Sequence, residues 1–193
     1  IHKSAKQLLI EDLSSSLPLA DSRFENFDLN FYSNDADASG SVPRKRATAI
    51  LALCKQFVEN FPSNRSLLFM GGVGLGKTHL SLSIVKEISD KGYGVVYGSA
   101  QNLFSAAEKE HFSYSGETSV QDSLLECDLL VIDDLGTEAF SKNNNSYLLE
   151  LINERIINNR KIIINTNLGF SNIEEMYSKR LSSRILEDFN VMY

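Results

Sequence analysis

The segment Gly71-Gly72-Val73-Gly74-Leu75-Gly76-Lys77-Thr78 constrains the fold of this chain more than any other stretch. It fits the pattern G-x-x-x-x-G-K-[ST]. In that pattern the glycines let backbone N–H groups turn inward around phosphate oxygens, the lysine adds positive charge near the β and γ phosphates, and the hydroxyl can ligate Mg²⁺. An apolar run, Leu67 to Met70, precedes the motif, and helical spacing follows it from Thr78 to Ser89. Strand, loop and helix in that order bring a helix N-terminus under the bound anion, as phosphate binding requires.

Around this motif, short apolar runs alternate with helical stretches, which predicts an α/β domain with a mainly parallel sheet flanked by helices. The candidate strands are Leu67 to Met70, Val95 to Tyr97, Asp128 to Asp133 and Lys161 to Asn165, with Asn190 to Tyr193 as a fifth. Helices are expected near Ala100 to Lys109, Val120 to Glu126, Asn144 to Asn158 and Tyr177 to Glu187. Ser171 with Glu174 three positions later has the form of a capping box opening a further short helix. Upstream, Ala47, Ile50, Leu51, Cys54, Phe57, Val58 and Phe61 recur at helical spacing, so Arg44 to Phe61 is an amphipathic helix closed by Pro62. Residues 1–42 lack sustained periodicity and read as an N-terminal arm or linker, with 43–193 as the core. Within the arm, Leu13 to Leu19 and Asn34 to Ser41 read as turns. Ser113 to Ser119, around Gly116, reads as a surface loop.

Three further patterns carry chemistry. Leu129-Leu130-Val131-Ile132-Asp133-Asp134 is a buried strand ending in two carboxylates, with Asp133 55 positions after Thr78. Ligands of open α/β sheets lie beyond the carboxyl ends of the strands, so these acids emerge on the edge that carries the phosphate loop. Asp133 is then placed to hold Mg²⁺ through water and Asp134 to polarise an attacking water. The spacing leaves room for the Val95 to Tyr97 strand, so the two motif strands need not be neighbours. In Lys161-Ile162-Ile163-Ile164-Asn165-Thr166-Asn167, an apolar strand ends in amides. Either they face a γ-phosphate and its water, or they form a turn before Gly169. Arg180 and Arg184, one helical turn apart, are either a solvated basic face or a finger that enters a neighbouring subunit's site.

Composition narrows the function classes. Lys plus Arg number 19 against 25 Asp plus Glu, a net charge of −6. That balance argues against holding duplex DNA by bulk charge, while a local basic groove remains compatible with it. The triplet Arg44-Lys45-Arg46 is the one basic cluster to weigh, and Phe104, Phe112 and Tyr114 are aromatics that either stack bases or fill core and loop. Two cysteines, Cys54 and Cys127, make neither a disulfide framework nor a zinc site and read as buried small hydrophobes. No apolar window is long enough to span a bilayer and no secretory apolar stretch opens the chain, so the expectation is a cytoplasmic protein with no membrane partner.

Together the motifs resemble those of the AAA+ ATPases of the DnaC/DnaI helicase-loader group, which also includes the IstB transposition helpers. The resemblance runs in order through Phe24-Glu25-Asn26-Phe27-Asp28, the loop Gly71 to Thr78 with His79-Leu80, Asp128 to Gly136 with Glu138, Asn165-Thr166-Asn167-Leu168 and Arg180-Leu181-Ser182-Ser183-Arg184. It implies a P-loop NTPase core of the AAA+ (ASCE) type with ATP and Mg²⁺ as cofactors, the metal held by Thr78 and Asp133. Gly72, Val73, Gly74, Leu75, Gly76, Lys77, Thr78 and His79 would bind the nucleotide, with Phe27 an apolar wall for the base and His79 on the adenine side. Lys77, Asp133, Asp134, the sensor Asn167 and the arginine finger Arg184 would carry hydrolysis at a site between self-assembled subunits. The implied partners are a hexameric replicative DNA helicase and, weakly and locally, single-stranded DNA. The small helical lid that normally follows is absent or truncated, and with Ile1 in place of Met the chain is expected to be the core of a longer loader. Three functions stay open: a helicase loader, an IstB-type transposition helper, or a nucleotide-gated binding module without significant turnover.

Overall fold

The computed structural model describes residues 21–111, 119–138 and 142–193. The expected turn at 13–19, the aromatics Phe112 and Tyr114 and the loop around Gly116 lie outside the described residues. Five parallel strands form one sheet: β1 (Ser66–Met70), β2 (Val95–Ser99), β3 (Leu129–Leu135), β4 (Lys161–Thr166) and β5 (Phe189–Met192). Their spatial order is β2-β3-β4-β1-β5. The described helices are α1 (Pro43–Asn60), α2 (Lys77–Asp90), α3 (Ala100–His111), α4 (Val120–Glu126), α5 (Lys142–Ile157), α6 (Phe170–Met176) and α7 (Lys179–Asp188).

The alternation of side chains along a strand sorts the core into two halves. Leu67, Phe69, Val95, Tyr97, Leu129, Val131 and Ile163 face α1 and α2, together with Cys54, Phe57, Leu80, Ile84 and Ile88. Leu68, Met70, Val96, Leu130, Ile132, Ile162 and Ile164 face the opposite layer, where Leu103, Phe104, Leu124, Leu148, Ile152, Ile173, Leu181 and Ile185 pack. Both faces of the sheet are therefore covered, which is why the central strands are continuous Leu/Ile/Val runs with no polar alternation. Each wholly buried Leu or Ile in them contributes roughly 1.5–3 kcal/mol.

All five expected strands form. The strand between β1 and β3 in space is β4, paired with both, whereas β2, which intervenes in the chain, lies at the edge beyond β3. One local expectation needs correction. The short helix α6 forms, but its N-cap is Gly169, which has no side chain to cap with, and Ser171 lies inside the first turn. Ser178 caps the next helix: its Oγ accepts the Leu181 N–H at 3.2 Å and opens α7. Phe104 belongs to the core and stacks edge-on against Tyr147. Cys54 is a buried thiol pushed up to about 12 by desolvation.

One interior group was invisible in the sequence pattern. Arg155 of α5 is wholly buried and donates to the carbonyls of Leu124 (2.6 Å), Leu125 (3.2 Å) and Lys161 (2.7 Å). Its guanidinium thus closes the C-terminal carbonyls of α4, where a positive charge is favoured. Cys127 lies 3.2 Å from the same guanidinium, so it is a polar contact as well as a buried thiol.

Candidate functional site

The phosphate loop runs from the end of β1 to the start of α2. Gly76, the N-cap of α2, has φ +77°, and a Cβ there would meet Phe27 at 2.8 Å and Tyr32 Oη at 2.9 Å. Glycine is required at this position both for the left-handed backbone and for the close approach of the two rings. The first turn of α2 points its free N–H groups at a cavity of about 460 Å³ lined by Val73 to His79, Asp134, Thr137 and Asn167. Lys77 Nζ donates to the carbonyls of Gly71 and Gly72, each at 2.8 Å, and to Asn167 Oδ1 at 2.7 Å. Burial lowers the Lys77 ammonium from the usual lysine range, while Asp134 and Asp133 pull it back up.

The β3 end departs from regular pairing. Its register against β4 shifts between Ile132 and Leu135, and Asp134 has φ +53°. A regular strand would send Asp133 and Asp134 to opposite faces. The irregularity instead turns Asp134 out into the phosphate cavity while Asp133 stays buried beneath it. Asp133 accepts the Thr78 hydroxyl at 3.1 Å, the Asn165 amide Nδ2 at 2.8 Å, the Asp134 N–H at 3.0 Å and the Tyr97 hydroxyl. Ser81 fixes the Asn165 amide by donating to its Oδ1 at 2.8 Å. Desolvation raises the Asp134 carboxyl above the ordinary carboxylate range, the neighbouring Asp133 adds to that, and Lys77 opposes it.

A second, apolar cavity of about 200 Å³ shares Leu75 and Lys77 with the first. Phe27, Tyr32, Ile50, Leu80 and Met192 are among its walls. Phe27 sits between Tyr32 and His79, with ring centroids 5.8 and 5.4 Å away. The Tyr32 hydroxyl donates to the Leu75 carbonyl at 3.0 Å, and His79 Nε2 lies 2.9 Å from the Arg23 carbonyl oxygen. The His79 side chain therefore fastens the arm to α2 beside the cavities.

The divalent-cation chemistry suits these residues. Mg²⁺ takes oxygen ligands, keeps several waters and needs only one or two protein groups besides phosphate. The Thr78 hydroxyl and the Asp133 carboxylate supply that set. Among the described residues there is no cluster of three or more His, Cys, Asp or Glu that would hold a metal without a nucleotide.

Thus Lys77, Thr78, His79, Asp134 and Asn167 meet around one cavity, Asp133 lies under it, and Phe27 lines its neighbour. Neither Arg180 nor Arg184 lines either cavity. Both are exposed on α7, and Arg184 Nη1 is 3.8 Å from Glu187. In the basic triplet, Arg44 Nε donates to the Tyr32 carbonyl at 3.0 Å and Arg46 pairs with Asp37 at 2.7 Å, so both tie the arm to α1. The sequence pattern does not mark Tyr97, Ser81 or Tyr32 for the site, and it leaves Asn165 either facing a γ-phosphate or forming a turn. The signal for Tyr97 and Asn165 was their position on the same strand face as Asp133, which is readable only once the strand order is known.

A family model described as "IstB-like ATP binding protein" matches residues 6–189. The replicative helicase loader DnaC of Escherichia coli K12 is 34% identical over 140 residues, covering 71% of this chain and 55% of that protein. The insertion sequence IS5376 putative ATP-binding protein of Geobacillus stearothermophilus is 28% identical over 136 residues, covering 70% of this chain and 51% of that protein. The chain therefore spans about half the length of these curated relatives. The crystal structure of the DnaC helicase loader has a similar fold, with TM-score 0.70, 24% identity, and coverage of 88% of this chain and 97% of that one.

Proposed function

Because the chain belongs to the IstB-like ATP-binding family, we propose that it is the core of an ATP-hydrolysing switch that acts as a replicative-helicase loader. The observation that carries this reading is the convergence of Lys77, the Thr78–Asp133 pair, Asp134 and Asn167 at one cavity on the carboxyl edge of the sheet. In this reading the triphosphate lies along the loop Gly72 to Gly76, where inward N–H groups and Lys77 neutralise it, and the base enters the apolar cavity against Phe27. Mg²⁺ would be held by Thr78 and, through water, by Asp133, and would neutralise charge on the phosphates. Asp134, whose carboxylate faces the cavity, orients and polarises the attacking water. Asn167 reports the γ-phosphate to β4 through the position it now gives to Lys77.

The exposed arginines of α7 support a site completed in trans. Arg184, assigned as the finger, would enter the cavity of an adjacent subunit, so self-assembly and turnover would rise together. The higher identity to the helicase loader than to the insertion-sequence protein favours a hexameric replicative helicase as partner, with cytoplasmic DNA replication as the setting. Contact with single-stranded DNA would be local, since Arg44 and Arg46 are already engaged within the chain.

Affinity capture from a lysate, with ATP and Mg²⁺ present, tests the partner. Recovery of the replicative helicase is expected, and recovery of a transposase without helicase would make the chain a transposition helper instead. Phosphate release in the presence of that partner tests the chemistry. Asp134→Asn is expected to keep nucleotide binding and to lose about 10²–10⁴-fold in turnover, the range of a positioned general base. Equal phosphate release by the wild type and this variant would overturn the catalytic assignment of Asp134, and no phosphate release by the wild type would leave a nucleotide-gated binding module.

A further inference from the structure

Asp133 is held by more than the metal chemistry alone requires. Tyr97, Asp133 and Asn165 project from the same face of three adjacent strands, β2, β3 and β4, beneath the start of α2. The Tyr97 hydroxyl donates to Asp133 Oδ2, and Asn165 Nδ2 donates to Oδ1 at 2.8 Å. Asn165 cannot turn away, because the Ser81 hydroxyl of α2 holds its Oδ1 at 2.8 Å. Tyr97 and Asn165 have no solvent exposure, and Asp133 has 5%. A buried carboxylate is costly unless hydrogen-bonded, and here neutral donors reach both oxygens from two directions. The Thr78 hydroxyl lies 3.1–3.3 Å from these same oxygens on the cavity side.

We propose that Tyr97 and Asn165 are positioning residues for the divalent cation that accompanies the nucleotide, clamping Asp133 in the one orientation that faces Thr78 and the metal's water shell. The proposal rests on the nucleotide reading above and adds to it the groups that set the cation dependence of that site. Outer partners of this kind hold a ligand's rotamer fixed before the metal arrives, so binding loses less conformational entropy. A tyrosine buried only for packing would give its hydroxyl any acceptor at hand. This one gives it to the carboxylate beside Thr78.

The experiment is a titration of the 193-residue chain with a fluorescent N-methylanthraniloyl ATP, first in EDTA and then across a range of free Mg²⁺. Tyr97→Phe removes one oxygen and keeps the ring in the core. It is expected to leave nucleotide affinity in EDTA unchanged and to raise by about tenfold the Mg²⁺ concentration that gives half of the metal-dependent gain. Ser81→Ala, which frees the Asn165 amide, should shift the same midpoint in the same direction by less, and it carries the test if Tyr97→Phe does not fold. A purely structural role would lower the melting temperature and leave the Mg²⁺ midpoint in place. A midpoint unchanged or shifted to lower Mg²⁺ in the variants overturns the proposal. Wild-type protein that binds no nucleotide in any condition overturns the nucleotide reading itself, and a Tyr97→Phe midpoint equal to that of a binding-competent wild type overturns only the positioning roles.

Discussion

Asp133 and Asp134 are adjacent in the chain, yet they belong to two different regions of the site. Asp133 is part of a buried floor with Tyr97, Asn165 and Ser81, where every donor is already placed by neighbouring strands and α2. Asp134 belongs to an exposed rim with the phosphate loop, Asn167 and Thr137 around an open cavity. Just inside the rim, the buried Lys77 donates to loop carbonyls and Asn167, partners that an anion can replace. The difference shows how one strand end provides both a fixed and an adaptable carboxylate. A register shift and a left-handed residue divide the pair.

If the division is real, rim and floor variants fail in different ways. Lys77→Ala is expected to weaken binding of the fluorescent nucleotide by about a hundredfold, since a charge-assisted hydrogen bond contributes about 1.5–3 kcal/mol and neutralisation adds to it. Its thermal melt should stay close to that of the wild type. Asn165→Asp tests the floor by placing a second carboxylate against Asp133. It should cost about 3 kcal/mol of folding stability at pH 7, read by urea unfolding. The new carboxyl has a raised pKa in the fold, so its protonated form is favoured there. Stability is fullest below about pH 4 and falls as pH rises through the raised value. Should this variant fold with full stability at pH 7, the floor is not the rigid region described. The smallest effect is on the rim. The Asp134 carboxyl is already raised by desolvation and by Asp133, so ionising it at neutral pH opposes folding. Asp134→Asn should therefore raise the melting temperature of the nucleotide-free protein by about 1–2 °C at pH 7, with the gain vanishing towards pH 4. A loss of stability at pH 7 would place Asp134 in the floor.

Much of the rim was legible in the sequence because its chemistry is local. The spacing of Gly71 to Thr78 is dictated by a loop that wraps one anion, and the apolar run to Asp133 announces a buried strand ending at the ligand edge. Asn167 followed from the resemblance, and the structure places it on Lys77. The floor was not legible. Tyr97 is 36 residues from Asp133 and Asn165 is 32, and nothing in those intervals says that β2 and β4 flank β3. The capping pair Ser171 and Glu174 misled for a related reason. The chain leaves β4 through Leu168 and Gly169, and Gly169 becomes the cap, two residues too early for Ser171 to serve.

By itself, the sequence determined the alternation of strands and helices, the phosphate loop and the two acids that follow a buried strand. Periodicity and glycine spacing are set within a few residues by backbone geometry. The tertiary structure decided the order β2-β3-β4-β1-β5 and, with it, which side chains meet. It also decided that Asp133 is held from both sides while Asp134 turns into the cavity, that Arg155 closes a helix end inside the core, and that Arg44 and Arg46 secure the arm. Each of these depends on contacts between different elements, which form only when the strands pair and the helices pack onto the two faces of the sheet.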